Sequence, residues 1–510
     1  MKKLLLLLIP FSLFGQFANP LSIPETIEGT NFNLTIDEST YRFFDTGQAT
    51  NTIGFNGDFL GPTLIFNQGD AINISVNNQL NEPTTVHWHG MHVSPEDDGG
   101  PHTVIDAGAV WTPDFTVLDR ATTFWYHPHL HEKTNEHVTK GAAGMIIIRS
   151  DAEATLSLPR TYGEDDFPLI VQAKSFTGLN QLNERGEDTH FMVNGTLSPY
   201  LDAPSQMVRL RVLNGSNERV LNVGFDDDRT FYQIGSDGGL LNAPLSMNRV
   251  RLASGERAEL VVDFSGDNIG DVIRMVTYSS EFGPGIPGGP GGAAQGFDGQ
   301  DVEFMEFRVV AATTNPVTSI STQLATHTPW DESEADNERT ITMDGGGPMN
   351  PFSLDNALFD IDFVNETVML DDIEIWSITN NTNTAHPFHI HDIQFYILDK
   401  NGQAPPPNEQ GLKDVVLVEG NQTVRFITKF DDFADAEVPY MYHCHILPHE
   451  DGGMMGQFIV IEPEVALSIA ETRNQFRIYP NPVTDKIIRV LLPDNVDPTS
   501  SWLAARFRCS

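Results

Sequence analysis

Residues 443–454, HCHILPHEDGGM, constrain the fold and the chemistry of this chain more than any other stretch. The aromatic and β-branched residues on both sides predict a β-strand at its start. Side chains of a strand alternate between its two faces, so His443 and His445 share one face and Cys444 lies on the other. His449 and Met454 can turn back to the thiolate side. Histidines with a cysteine and a distant methionine are the ligands of a blue-copper centre, so the stretch predicts a metal site on each face.

The cysteine count supports metal binding. The chain has only two cysteines, Cys444 and Cys509, and the second lies in the C-terminal tail. Cys444 therefore has no plausible structural disulfide partner, and its most reasonable role is as a metal ligand. The alternative is a buried core cysteine with incidental histidines. Three histidines around one cysteine within seven residues argue against that alternative.

Length and turn residues predict several β-rich domains. A chain of 510 residues is long enough for about three domains. Frequent glycine and proline (42 and 32 residues) favour many short strands over long helices. Strand-like runs separated by turns define a β-sandwich unit at 22–150, a structural spacer of the same fold at 155–315, and a third unit at 330–463. A tail of different composition follows at 464–510.

The N-terminus, MKKLLLLLIPFSLFGQ, has two lysines followed by an apolar run too short to cross a bilayer. It predicts a secretory signal peptide over residues 1–19, cut between Gly15 and Pro20. No later segment is a transmembrane candidate.

The charge balance restricts the partners. There are 30 Lys and Arg residues against 70 Asp and Glu residues, for a formal net charge of −40. Such a surface repels nucleic acid and anionic membranes. The simplest interpretation is a solvated, salt-tolerant exterior. Any electrostatic preference would favour cations, copper included, and neutral molecules over anions.

Most of the 16 histidines fall in four clusters, two near each end of the chain. The clusters HWHG, WYHPHLH and HPFHIH add further H-x-H pairs on predicted strands, and His386 lies at the parity that can serve the thiolate site. If the first and third units meet, one interface would hold eight imidazoles: His87, His89, His127, His129, His389, His391, His443 and His445. Zinc would not explain the neighbouring thiolate and methionine, whereas copper explains both sets.

Two features outside the clusters stay open. His190, the one histidine of the spacer, is predicted to be a surface residue rather than a ligand. The segment at 281–300, EFGPGIPGGPGGAAQGFDGQ, cannot pack as a strand. It is either a flexible surface loop or a mobile flap near a substrate entrance.

HWHG, WYHPH, HPFHIH and HCHILPHEDGGM resemble the four copper motifs of the three-domain multicopper oxidases. DGGP (98–101), FMVNG, GSDGG (235–239) and LKDVVLVEG (412–420) are similar to the bacterial copper-efflux oxidase and spore-coat laccase branch. The resemblance covers about residues 30–462. It implies an all-β fold of three consecutive cupredoxin-like Greek-key β-sandwich domains.

The resemblance also implies a ligand set for four copper ions. The mononuclear type 1 copper, which takes electrons from substrate, would be held by His386, Cys444, His449 and Met454. The type 2 copper would be held by His87 and His389. The type 3 pair would be held by His89, His127, His129, His391, His443 and His445. The family reaction couples four one-electron oxidations of a reducing substrate to reduction of dioxygen to two waters.

Three carboxyl groups resemble functional positions of the family. Glu450, directly after His449, and Asp98 match acidic positions of the family's proton relay, because a carboxyl near a cationic metal cluster can donate protons. The alternative for both is a solvated surface acid. Asp414 resembles an acid near the type 1 pocket that can hydrogen-bond a phenol or bind a cation. Because Cys444 is bonded to His443 and His445 through the backbone, electrons have a short path between the two sites.

The leading hypothesis is a laccase-like oxidase that acts on phenols and aromatic amines, and we expect it to be a monomer. A second is oxidation of Cu(I), which is weakened because the 14 methionines are scattered rather than clustered. A third is a copper-free structural relative that stabilises cell-division machinery, but such relatives lose the ligand motifs. Length and the HCH strand disfavour a two-domain nitrite reductase.

The tail segment FRIYPNPVTDKIIRV (476–490) resembles the start of a type IX secretion sorting domain, although it is short and the final SSWLAARFRCS looks unrelated. It predicts extracellular or cell-surface delivery, with the periplasm as the alternative.

Met454 at the axial position predicts a lower type 1 potential than in the strongest fungal laccases, where leucine or phenylalanine takes this place, since the axial ligand tunes the potential. Redox titration of the blue absorption band checks this. A potential equal to that of those enzymes would contradict it.

Overall fold

The computed structural model describes residues 17–184, 187–291, 296–347 and 349–463, and the backbone of 477–479 and 489–491. Strands account for 46% of the chain and helices for 6%, which confirms the predicted all-β class. Residues 1–16 of the predicted signal peptide and most of the predicted sorting tail lie outside the described residues. Residues 17–21 are described, and the Leu21 amide donates to the Tyr200 carbonyl at 2.7 Å.

The first pair of sheets uses residues 26–149. Alternation along β2 buries Phe32, Leu34 and Ile36 between the sheets and leaves their neighbours facing outward. The sheet orders are β1-β4-β10-β9-β6 and β3-β2-β5-β7, with β8 pairing β5. The strands are β1 (Thr26–Glu28), β2 (Asn31–Tyr41), β3 (Thr50–Phe55), β4 (Thr63–Asn67), β5 (Ala71–Asn78), β6 (His87–His89), β7 (Val110–Trp111), β8 (Asp114–Thr116), β9 (Thr122–His127) and β10 (Gly144–Arg149).

The second pair uses residues 166–310 and encloses its own apolar core. Its sheet orders are β13-β12-β11-β15-β20-β17-β18 and β14-β22-β21-β16-β19. The strands are β11 (Asp166–Lys174), β12 (His190–Val193), β13 (Thr196–Leu197), β14 (Tyr200–Pro204), β15 (Met207–Asn214), β16 (Leu221–Phe225), β17 (Phe231–Ser236), β18 (Gly239–Met247), β19 (Val250–Leu252), β20 (Arg257–Asp263), β21 (Val272–Tyr278) and β22 (Asp301–Val310).

The third pair uses residues 337–461, and Cys444 and Met454 belong to its apolar core. Its sheet orders are β24-β23-β26-β30-β28 and β25-β32-β31-β27-β29. The strands are β23 (Asn337–Asp344), β24 (Ser353–Leu354), β25 (Glu366–Met369), β26 (Ile373–Asn380), β27 (His386–Ile390), β28 (Tyr396–Lys400), β29 (Val415–Val418), β30 (Thr423–Lys429), β31 (Asp435–Cys444) and β32 (Met455–Ile461).

Helices are short. They are α1 (Thr134–Lys140), α2 (Asp151–Ala154) and α3 (Leu447–Asp451), with 3-10 turns at Ser279–Glu281, Glu332–Glu334 and Pro407–Glu409. In the tail, Arg477–Tyr479 (β33) pairs with Arg489–Leu491 (β34). Among the described residues, no helix is both long enough and apolar enough to span a bilayer.

Polar contacts join the first and third pairs of sheets. The Asp451 carboxylate at the end of α3 accepts from the amides of Thr134 and Asn135 at 3.0 and 2.9 Å. These amides begin α1, where helical N–H groups lack partners within the helix, so the carboxylate stabilises that end. The Tyr440 hydroxyl donates to the Val93 carbonyl at 2.6 Å. The histidine clusters of both units therefore face one interface.

A buried ionic network joins the first and second pairs. Glu259 accepts from Arg209 and Arg211 at 2.5 and 2.8 Å and from the Thr123 hydroxyl at 2.6 Å. Burial alone would raise the pKa of Glu259, but the two guanidinium groups outweigh it and lower that pKa. The carboxylate is therefore ionised and balances two buried cations.

Replacing Glu259 with glutamine should destabilise the protein by about 3 kcal/mol, because breaking a buried ion pair leaves charge uncompensated. Thermal denaturation of both proteins measures the change. Glu28→Gln, an exposed position on β1, is the matched control and should leave the unfolding temperature unchanged. Equal melting of the Glu259 variant and the parent would contradict this interpretation.

Candidate metal centre

Strand pairing brings the H-x-H pairs together. Antiparallel pairing sets His87 opposite His127 between β6 and β9, and His389 opposite His443 between β27 and β31. The pairs of the first and third units then stack across the interface. The rings of His87 and His391 are 3.8 Å apart, as are the rings of His89 and His389.

Eight imidazoles at this interface are buried. Their nitrogens form two groups of three within 4.8 Å of one another, His89 with His127 and His445, and His129 with His391 and His443. His87 and His389 fall in a third group, together with His89. The histidine positions expected from the sequence are therefore brought together.

The outer nitrogens of several rings are occupied. Nδ1–H of His87 donates to the Asp98 carbonyl at 3.0 Å, and Nδ1–H of His389 donates to the Asp414 carbonyl at 2.8 Å. A carbonyl only accepts, so these contacts place the proton on Nδ1 and leave Nε2 with a free lone pair. Such outer partners orient metal-binding histidines.

The inner nitrogens are the test of whether a metal fits. Nε2 of His87, His389 and His391 and both ring nitrogens of His445 are buried without a hydrogen-bond partner among the described residues. Burial and neighbouring imidazoles lower the pKa of His129 and of His445 to about 3, so the rings are neutral at pH 7. Neutral imidazoles with lone pairs aimed inward fit copper.

A second site lies on the opposite face of β31. The Cys444 sulfur is 3.5 Å from Nδ1 of His386 and 3.7 Å from Nδ1 of His449. Met454 is fully buried, and its carbonyl accepts from the Cys444 amide at 3.0 Å. Burial raises the pKa of the Cys444 thiol, so a thiolate there needs a cation beside it. The donor set of two histidines, a cysteine and a methionine fits a blue-copper ion.

Two acids of the predicted relay touch the eight-histidine site. Glu450 is buried, with its oxygens 3.6 Å from Nδ1 of His129 and 3.2 Å from Nδ1 of His443. Asp98 is 2% exposed, and its Oδ2 accepts from Nδ1 of His391 at 2.8 Å. The alternative of solvated surface acids is therefore excluded for both.

The turn that carries Asp98 needs the glycine that follows it. Gly99 has φ +78°, and a Cβ there would lie 1.8 Å from the Val86 carbonyl oxygen. Only glycine lets the DGG turn pack this closely against the strand that leads into His87.

The chain is similar in sequence to known multicopper oxidases. Residues 37–153 and 328–464 each match the multicopper oxidase family. The chain is 33% identical to the multicopper oxidase mco of Staphylococcus haemolyticus, over 88% of this chain and 93% of that protein.

This chain belongs to the multicopper oxidase family.

Solved structures confirm the cupredoxin-like β-sandwich fold. A laccase-like multicopper oxidase CueO from Ochrobactrum sp. is 32% identical with a TM-score of 0.78, over 87% of this chain and all of that one. McoA from Aquifex aeolicus is 30% identical with the same TM-score, over 87% and 99%. The cell division protein FtsP of Photorhabdus laumondii is 29% identical over 86% and 92%.

Family membership makes this oxidase an oxidoreductase that uses dioxygen and four copper ions, one of type 1, one of type 2 and two of type 3. Its reductants are small molecules. The donor sets described above are the places in this chain that suit those ions.

The expectation for Asp414 is wrong. Asp414 is fully buried, and both carboxylate oxygens accept from Arg257, at 2.7 and 2.6 Å. Oδ1 is also 3.3 Å from Nε2 of His89, in the eight-histidine site. A carboxylate held this way cannot reach a phenol or cation in a type 1 pocket. Its backbone carbonyl instead orients His389 in the oxidase.

Sequence reasoning missed three residues of the oxidase. The Thr382 hydroxyl lies 3.1 Å from Nε2 of His386, and the Phe352 ring lies 4.7 and 4.4 Å from the rings of His386 and His449. Arg257, from the second unit, fixes Asp414. The spacing of Thr382 from HPFHIH is a signal that could have been used. Nothing local marks the other two, because they approach from distant segments.

The glycine- and proline-rich segment forms part of a cavity. Residues 285–291 line one wall of a cavity of about 420 Å³ that reaches His449, Ile446 and Thr384. The Ala385 amide donates to the Gly285 carbonyl at 2.8 Å, which fixes the segment beside the strand of His386. His190 packs against Phe44 and Phe176, away from these clusters.

Removing copper should lower the unfolding temperature of the oxidase, because ions that bind only the folded state stabilise it by about 2.7 kcal/mol for each site at 100 times its Kd. Calorimetry of copper-loaded and chelator-treated protein measures the difference. Unchanged melting with copper bound would contradict the fit.

Proposed function

We propose that this protein is a laccase-like oxidase, which oxidises phenols and aromatic amines by one electron at a time and reduces dioxygen to two waters. The observation that carries the proposal is the cavity of about 420 Å³ on His449. Small-molecule sites have volumes of about 300–1,000 Å³, so an aromatic ring can enter. The related Ochrobactrum oxidase acts on lignin model compounds.

The roles of the ligands follow from their grouping. We assign His386, Cys444, His449 and Met454 to the type 1 ion and His87 with His389 to the type 2 ion. Of the type 3 pair, one ion falls to His89, His127 and His445, and the other to His129, His391 and His443. Bound copper supplies the one-electron chemistry between reductant and dioxygen.

This chain's residues connect the two sites. Cys444 lies between His443 and His445 in sequence, so a single strand links the substrate side to the dioxygen side through covalent bonds. Glu450 and Asp98 place carboxylate oxygens within reach of the histidine cluster, Oε2 beside Nδ1 of His443 and Oδ2 beside Nδ1 of His391, where each can take up a proton and pass it on. Both are general acids for water formation in this proposal.

Two other functions, Cu(I) oxidation and a structural role without catalysis, are less favoured. Oxidation of Cu(I) is less favoured because neither methionine nor cysteine lines the cavity on His449. A structural role like that suggested by the name of the FtsP relatives is less favoured because every ligand position of the four motifs is filled here. The proposed location is extracellular or on the cell surface, with the periplasm as the alternative, and the proposed state is a monomer.

Copper-loaded protein should show a blue absorption band and take up oxygen with a phenol. Cys444→Ser should remove the band and the uptake while the protein stays folded, because the type 1 thiolate is lost. Glu28→Gln is the control that should keep both. Oxygen uptake with Cu(I) but not with phenols would favour the metal-oxidase role, and the absence of uptake with either would refute both enzyme roles.

A further inference from the structure

The cavity on His449 has walls of unequal character. One wall is the loop 285–291, which is made of glycine, proline and one isoleucine and offers mainly backbone. The other lining residues include charged side chains, among them Glu187, Asp188, Glu218 and Arg219. His449, a proposed type 1 ligand, also lines the cavity. A reductant beside this ring is therefore in the same cavity as these charged side chains.

Arg219 is the buried anchor of the cavity, with 4% of its surface exposed. It donates to Asp188 at 2.9 Å, to Asp298 at 2.6 Å and to the Gly288 carbonyl at 3.3 Å. Gly288 has φ +87°, and a Cβ there would lie 2.5 Å from Nη1 of Arg219. Its guanidinium therefore holds the loop in place, and its single positive charge is shared between Asp188 and Asp298.

Glu187 and Glu218 are the two carboxylates of this cavity that form no ion pair with a described residue. Both are exposed to the cavity and form no hydrogen bond or ion pair with any residue that the structure describes. Among the described residues that line the cavity, four carboxylates against one guanidinium (−4 + 1) give a net charge of −3. Burial and the nearby Asp188 raise the pKa of Glu218 by more than the charge of Arg219 lowers it.

We propose that Glu218, supported by Glu187, makes the cavity on His449 select aromatic reductants that carry a positive charge over neutral and anionic ones. This rests on the proposed laccase-like function. An organic cation is favoured over Cu(I) because the lining residues include no sulfur ligand, whereas soft cuprous ions prefer sulfur. The substrate loses one electron towards the Cys444 site, and four such electrons with four protons convert one dioxygen to two waters.

The test uses three phenols with the same 2-methoxyphenol ring. Each carries one para substituent through a methylene group, which is trimethylammonium, methoxy or sulfonate. The copper-loaded parent protein should show the highest kcat/KM for the cation and the lowest for the anion. Added salt should make the differences in kcat/KM between the three phenols smaller, because ions screen exposed charges.

Glu218→Gln should lower kcat/KM for the cation about threefold, the size expected for an exposed charge pair, and raise it for the anion. The change should lie in KM rather than kcat, the neutral phenol should be unaffected, and the blue band and type 1 potential should stay the same. Adding Glu187→Gln should weaken the preference further. Glu28→Gln, away from the cavity, should retain it.

The proposal would be overturned if all three phenols support oxygen uptake and Glu218→Gln leaves the ratios of their kcat/KM values unchanged. The laccase-like function would stand in that case. No uptake with any phenol would overturn the function itself. If Glu218→Gln slows only Cu(I) oxidation, the carboxylate serves a metal ion and the proposal is wrong.

Discussion

The interface between the first and third units buries histidine nitrogens that no described residue satisfies with a hydrogen bond. Nε2 of His87, of His389 and of His391 is buried at this interface without a hydrogen-bond partner among the described residues. Each such group costs about 1–3 kcal/mol when left unpaired. Metal coordination removes that cost, so copper binding should add to the contacts of Asp451 and Tyr440 that dock the first unit on the third.

Strand alternation explains how one segment serves two sites. Cys444 points into the core of the third unit, while His443 and His445 point into the interface. Adjacent residues of a strand point to opposite faces, so the Cys444 site and the histidine site lie on different sides of β31. The sites are still neighbours, because their ligands are consecutive in the chain. In the proposed function, this separation keeps the substrate at the cavity on His449 and dioxygen at the interface.

The features that depend on the local spacing of residues could be predicted from the sequence. Period-two alternation identified the H-x-H pairs, and the lone cysteine with its methionine identified the second metal site. Asp414 was misplaced because its environment is set by Arg257, which is 157 positions away in the chain. Phe352 was out of reach for the same reason, since it comes from a separate segment that folds over His449. The sequence left 281–300 open between a surface loop and a flap near a substrate entrance, and the contact of Gly285 with Ala385 places part of it at the cavity on His449.

Four copper ions are predicted to occupy two sites on opposite faces of β31. Anomalous X-ray diffraction at the copper absorption edge tests it most directly. Four peaks are predicted, one among His386, Cys444 and His449 and three within the eight-histidine interface. Peaks outside these positions, or no peak beside Cys444 in fully loaded crystals, would contradict the account.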